Sequence, residues 1–356
     1  MTVTKRLRVL QWATGNIGGR ALREVIRHPD LELVGVLVYD PAKEGVDAGE
    51  LCGEPVTGVG STTDRDAAVA LHADCALYMP RAFEVDDAVA LLEQGTNVVT
   101  TCDELFDAGR SLPAGDRARV IDACRRGNSS IYSTGSSPGF ITDALPYALL
   151  SLQRRVDAIE IDEYADLSQR DSPHLLFEIM GFGRTPSSRS GAANDPRAAH
   201  LLRAFTPALA DLAVAANRPV DTWSATGEVA VARQATTIAA GDLAAGSVAA
   251  QRTTIVGHQG ADEIVRFTPT WYCTADTDPA WDVRPTGWRV QVRGDAPFDV
   301  ALPFPIPTAE LAGFTPAYTA NRPVNAIPYV CAAAPGIVAT ADLPPILPSG
   351  PRVRPA

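Results

Sequence analysis

A chain of 356 residues, 46% of them hydrophobic, is long enough for two folded units and too apolar to be disordered. Its formal charge of -11 argues against nucleic acid or an anionic membrane as the main partner. Six scattered cysteines without a C-x-x-C pair, and five histidines without ligand spacing, indicate neither a disulfide framework nor a zinc site. With no apolar leader before the first strand and no bilayer-length apolar run, a reduced, cytoplasmic protein is expected.

Residues 8–12 read as a short buried strand, 13–19 as a glycine-containing turn, and 20–28 as a helix. Residues 31–38 read as a second strand, ending at Tyr39-Asp40. The order strand, turn, helix, strand, acid is that of a dinucleotide-binding βαβ unit, with Ala13 where a first glycine is usual. Gly15 and Gly18 lack the Cβ that would hold backbone away from a pyrophosphate, and the helix start offers free N–H groups to the anion. Thr14, Gly15, Asn16, Ile17 and Gly18 are therefore candidate cofactor residues. Asp40, 22 residues after Gly18, is placed to bind ribose hydroxyls. Lys43 would meet a 2′-phosphate and Asp40 would repel one, so the reading leans to NAD and leaves NADP open.

Further on, residues 64–71 read as a helix and 75–79 as a strand ending at Pro80-Arg81. Residues 85–94 then read as a helix stopped by Gly95 and 97–101 as a strand delivering Cys102-Asp103-Glu104. Residues 117–126 follow as a helix and 130–133 as a strand. This alternation predicts an α/β fold with a Rossmann-type, doubly wound parallel sheet, whose ligands bind at the carboxyl ends of the strands. Met79, Pro80 and Arg81 join the candidate cofactor residues on that ground. The stretch 134–140 leads into a helix over 141–152.

From residue 156 strict alternation marks half-exposed strands, with others expected at 228–233, 247–256, 263–272 and 287–292 and a helix at 198–216. An α+β substrate and dimerisation domain with a mainly antiparallel sheet is predicted. Residues 184–194, rich in Ser, Gly and Arg, read as a loop or lid. Residues 317–334 read as a helix interrupted by Pro323 and Pro328 that returns to the first domain, and the tail from Pro344 as an extended arm. The expected domains are 1–137 with 317–356, and 138–316.

Hydride chemistry asks the protein for a held nicotinamide, a dry pocket and one proton-transfer group. Glu104, at the carboxyl end of a strand and followed by Leu105 and Phe106, is the candidate, because apolar neighbours push a carboxylate towards neutrality. The alternative is a capping glutamate facing water. Asp103 is assigned a solvent or capping role, Cys102 is read as a buried thiol, and His174 and Tyr164 as structural side chains able to donate to a substrate. Residues 133–137 are either an anion cradle or a helix cap before Pro138.

Several stretches together resemble the 2,4-diaminopentanoate dehydrogenases and the related native NAD(P)H-dependent amine dehydrogenases. These are Gln11–Gly18 with Asp47–Leu51, Asn97–Thr101, Ser137–Phe140, Met180–Gly183, Val324–Pro328, and Ala334–Ile337 with Asp342–Pro344. The arrangement is more distantly similar to dihydrodipicolinate reductases. The resemblance implies a homodimeric enzyme for reductive amination, in which a ketone or aldehyde and ammonia become an amine with NAD(P)H. Glu104 would be the catalytic acid/base, Phe140 and Tyr164 would line the substrate pocket, and Asn325 would orient the nicotinamide amide. The second domain's sheet would form the pocket wall and the dimer contact.

This chain departs from the pattern in Gly135-Ser136-Ser137-Pro138 and in Tyr39-Asp40-Pro41. Arg81, Arg170 and Arg184 are the cations that would have to fold inward for an amino-acid carboxylate, and a simple ketone or amine is favoured. The rivals are an imine or C=C reductase, 2,4-diaminopentanoate dehydrogenase itself, and an NAD(P)-binding sensor without turnover.

Overall fold

The computed structural model describes residues 5–186 and 196–348. The chain divides into two compact units, Met1–Phe140 with Pro316–Ala356, and Ile141–Thr315. In the first, the order is β1 (Leu7–Trp12), α1 (Asn16–Arg27), β2 (Leu31–Leu37), α2 (Ala48–Cys52), β3 (Ser61–Thr62), α3 (Arg65–Val69) and β4 (Cys75–Tyr78). Then follow α4 (Val85–Glu93), β5 (Asn97–Thr100), α5 (Ala114–Gly127) and β6 (Ser130–Ser133). The second holds α6 (Leu145–Leu150), β7 (Val156–Asp166), α7 (Pro196–Ala215), β8 (Thr222–Ala232), β9 (Thr236–Ile238), β10 (Gly241–Leu243), β11 (Val248–Gln259), β12 (Asp262–Tyr272), β13 (Thr277–Asp278), β14 (Gly287–Gly294) and β15 (Phe298–Pro303). The chain returns to the first unit along α8 (Thr308–Cys331) and β16 (Gly336–Val338).

The seven strands of the first unit are all parallel, in the order β16-β6-β5-β4-β1-β2-β3. The two-residue period of a strand sends alternate side chains to opposite faces. Leu10, Trp12, Ala76, Tyr78 and Val98 meet α3, α4 and α5 on one face. Val9, Leu77, Val99 and Tyr132 meet Ala21 and Val25 of α1 and Ala320, Val324, Ile327 and Val330 of α8 on the other. The returning helix thus completes a face that α1 covers only in part, and the sheet is doubly wound as the strand–helix alternation predicts.

One detail differs from expectation. Instead of breaking, α8 runs through Pro316, Pro323 and Pro328 as one helix. A proline within a helix forfeits a backbone hydrogen bond at about 3 kcal/mol, and the packing of five α8 side chains into the sheet offsets that loss. The second unit's large sheet, β13-β8-β11-β12-β7-β14-β15, is antiparallel except where β7 lies parallel to β12. Its apolar face, with Ile159, Ile161, Ile255 and Phe267, packs against α7, where Phe205 stacks on Phe267 at 4.4 Å. The loop expected at 184–194 falls mostly outside the described residues, as does most of the tail. No described helix is long and apolar enough to cross a membrane.

Ala13, standing in for the first glycine of the turn, has φ +72°. An L-residue in that region pays a steric cost of about 1–2 kcal/mol, only part of which is the greater chain entropy that a glycine would lose. Ala13→Gly is therefore expected to stabilise the protein by about 0.5–1 kcal/mol, read as a rise in the urea midpoint. An unchanged or lowered midpoint would show that this backbone is not strained.

Candidate active site

The first unit sets its candidate residues along one edge. At the end of β1, Gly15 is the N-cap of α1 and offers no side-chain cap to the helix's free N–H groups. A Cβ on Gly15 would have no atom within 4 Å, so the space before the helix is open. Gly18 serves a different purpose from the one expected. A Cβ there would lie 2.2 Å from the carbonyl oxygen of Ala13, so this glycine lets α1 close onto β1 rather than admitting a ligand. Thr14 and Ile17 are half-buried around the turn, and Asn16 is exposed.

Asp40 is exposed just beyond β2, and its Oδ1 accepts from the backbone N–H of Ala42 at 3.0 Å. Lys43 turns away from a site above Asp40 and reaches the glycine turn, where its Nζ donates to the carbonyl and hydroxyl of Thr14 at 3.4 and 3.3 Å. Tyr39 is 57% exposed, yet its hydroxyl accepts from the indole N–H of buried Trp12 at 2.9 Å. On β4's end, Met79 is buried, Pro80 half-buried and Arg81 exposed.

β5 delivers Cys102, Asp103 and Glu104 into a short turn, Asp103–Leu105. Glu104 is half-buried, with Leu105 and Phe106 buried behind it. Asp103 does not take the solvent role expected of it. It is half-buried, and burial, with the neighbouring Glu104 charge second, raises its carboxyl to about 6. Burial pushes the Cys102 thiol up to about 12, which leaves no thiolate for nucleophilic chemistry at neutral pH.

Three of the hydroxyls around this turn are engaged, while Ser137 Oγ is buried without a hydrogen-bond partner among the described residues. Ser133 donates to the Cys102 carbonyl at 2.7 Å, Thr134 accepts from Arg322 Nε at 2.7 Å, and Ser136 pairs with Thr319 at 2.6 Å. The segment does not begin as a regular helix, since Ser137 to Gly139 are non-helical within Ser136–Ala144. Phe140 is half-buried, with the Arg322 guanidinium 5.9 Å from its ring centre. Asn325 lies half-buried one turn beyond Arg322 on α8.

Gly15, Asp40, Met79, Glu104, Phe140 and Asn325 thus belong to one unit, while Tyr164 sits on β7 of the other. Burial raises the Tyr164 phenol, and Arg284 lies 6.0 Å from its ring centre. His174 is an exposed residue bonded to Glu178 at 2.8 Å. The second unit holds an open pocket of about 690 Å³ lined by Leu175, Met180, Leu201, Gln251 and Trp271, with Arg170 on its wall. Arg184 donates to the Glu178 carbonyl at 2.8 Å. The described residues contain no His, Cys, Asp and Glu grouping suited to a metal.

No protein-family model matches the chain. An amine dehydrogenase from Streptomyces virginiae is 34% identical over 180 residues, 49% of this chain and 50% of that protein. The chain therefore matches about half the length of this curated relative. The solved structure of amine dehydrogenase from Mycobacterium smegmatis superposes with a TM-score of 0.73 at 19% identity, covering 96% of this chain and 97% of that one. A probable dehydrogenase from Thermotoga maritima gives 0.55 at 13% identity, covering 94% and 92%.

Two measurements test the geometry. Gly15→Val should leave the urea midpoint within experimental error and weaken NAD(P)H binding about tenfold or more, because the added side chain fills only the open space. Equal affinity would show that the nucleotide does not approach this turn. Asp103 holds its proton to higher pH folded than unfolded, so its contribution makes stability fall as pH rises from about 4 to about 6 and level off above. The stability gained by Asp103→Asn should accordingly grow across that window; a pH-independent difference would show that burial does not hold the proton.

The likeness to amine dehydrogenases carried by the sequence motifs is thus met again, across 49% of the chain in sequence and 96% of it in fold.

Proposed function

We propose that the protein is an NAD(P)H-dependent amine dehydrogenase, joining ammonia to a ketone or aldehyde, and in reverse deaminating an amine oxidatively. The observation that carries this reading is the half-buried Glu104 at the end of β5, two strands from the open glycine turn of β1. The residues present fit a dinucleotide: open space before Gly15, an uncapped helix start, and a carboxylate beyond β2. Gly15, Asn16 and Ile17 would hold the pyrophosphate with backbone N–H groups, assisted by Lys43. Asp40 would bind the adenosine ribose, Met79 to Arg81 would flank the cofactor, and Asn325 would hold the carboxamide. When bound, the nicotinamide supplies the hydride that reduces the carbon centre.

Glu104 accepts a proton from ammonium, and the ammonia released adds to the substrate carbonyl to give a carbinolamine. The same carboxyl then protonates the departing hydroxyl, which leaves as water. Its restored negative charge stabilises the iminium ion that is reduced to the amine. Leu105 and Phe106 exclude water from that side. Phe140 and Tyr164 would wall the substrate, and the active form would be a homodimer. Six free cysteines, five of them buried, suit a reducing cytoplasm.

Glu104→Gln is expected to keep NAD(P)H affinity within about twofold and to lower ammonia-dependent turnover by at least 100-fold, within the range general acid–base groups contribute. Full turnover would remove Glu104 from the mechanism. Oxidation of NAD(P)H by ketones without ammonia would point instead to a carbonyl or imine reductase. Asp40→Ser should shift the ratio of kcat/KM values towards NADPH, and an unchanged ratio would show that Asp40 does not meet the ribose.

A further inference from the structure

The packing of α8 on the parallel sheet brings two thiols together. Cys75 opens β4 and shares with Leu77 and Met79 the sheet face on which α8 lies. On α8, Cys331 follows Val324 and Ile327 by seven and four residues, so it stands on the helix face that those residues press into the same layer. Its Sγ donates to the carbonyl oxygen of Asp74, the residue before Cys75, at 3.6 Å, and the two thiols hydrogen-bond to each other. The whole second unit separates the two positions in the chain, so no local constraint imposes this approach.

The other four cysteines are buried in other apolar layers, and none of them has a second thiol as hydrogen-bond partner. The surroundings of the pair divide the chemistry between its sulfurs. Cys75 is fully buried, and the hydrogen bond to Cys331, with burial second, holds its thiol well above the ordinary value. Cys331 is half-buried, so it is the sulfur that a small solute meets first.

We propose that Cys75 and Cys331 form a reversible oxidation site, at which a hydroperoxide joins β4 to the end of α8 through a disulfide. The Cys331 sulfur attacks the terminal oxygen of the hydroperoxide, the O–O bond breaks, and an alcohol or water leaves behind a sulfenic acid on Cys331. The Cys75 sulfur then attacks the Cys331 sulfur and the S–O bond breaks. The hydroxide leaves as water with the proton of Cys75. Two thiols are thereby oxidised by two electrons while the hydroperoxide is reduced, and a dithiol restores the pair. Neither sulfur takes part in the amine chemistry proposed above, so the two readings stand or fall separately.

The effect is mechanical. Cys75 lies at the amino end of β4, away from the carboxyl edge that carries Glu104, and the bond pins the end of α8 to the sheet. It closes a loop that contains the entire second unit, the long-loop case in which a cross-link most restricts the unfolded chain.

The test uses the full chain, purified reduced and treated without denaturant with hydrogen peroxide or tert-butyl hydroperoxide. Non-reducing digestion should yield a cross-linked peptide holding Cys75 and Cys331, and Tm should rise by about 5 °C or more, both reversed by dithiothreitol. Cys75→Ala should stop at a sulfenic acid on Cys331, trapped by dimedone, and Cys331→Ala should show neither cross-link nor rise in Tm. The peptide map is made on the unmodified protein, so the outcome does not depend on either variant folding. No cross-link, a cross-link between any other pair, or oxidation of Cys331 to sulfinic acid with Cys75 still free to alkylate after unfolding would overturn the proposal. The Cys75–Cys331 cross-link without a rise in Tm would overturn the mechanical effect and keep the oxidation site.

Discussion

The close approach of α1 to the end of β1, with Gly18 lying against the carbonyl of Ala13, sets where the helix begins and so where its free N–H groups point. A side chain larger than hydrogen at Gly18 would push the helix off the strand, since a Cβ would come within 2.2 Å of that oxygen. The same closure bends the chain through Ala13 at positive φ and leaves Gly15 facing open space. One steric constraint therefore aligns strand, turn and helix dipole together, and the open, uncapped helix start follows from packing.

At β5 the same sheet presents two consecutive carboxyl groups at its edge. Half-burial of both and the mutual charge of the pair raise Asp103, so the edge carries fewer negative charges below about pH 6 than its composition suggests. Glu104 thus has a neighbour whose charge depends on pH. Arg322 supplies the opposite sign one strand further on, anchored by Thr134. The edge thus passes from carboxylates to a guanidinium over a single strand spacing.

Local patterns made most of the first unit legible. Each parallel strand is a short apolar run ended by a turn signal, and the Gly15–Gly18 spacing with Asp40 downstream has few other uses. Apolar periodicity likewise gave the return of α8, and the strand order put Glu104 at the end of β5, where it lies. What escaped reading has long-range causes. Arg322 meets Thr134 across 188 positions, and no periodicity announces such a pair. Lys43 folds back onto Thr14 over 29 residues, whereas its position after Asp40 suggested the ribose. Asp103 was misassigned because burial, not residue type, decides between two adjacent acids. The parallel pairing of β7 with β12 was also hidden, since alternation fixes which side chains are wet but says nothing of strand direction.

The return of α8 and β16 to the first unit has a consequence for how the protein is made. Part of one face of the parallel sheet stays bare until residues 308–338 have left the ribosome, because Ala320, Val324, Ile327 and Val330 complete the layer that α1 begins. Val99 and Tyr132 must meanwhile wait through the synthesis of the whole second unit with greasy surface uncovered. Until then the nascent chain carries exposed apolar surface, the condition under which intermediates aggregate.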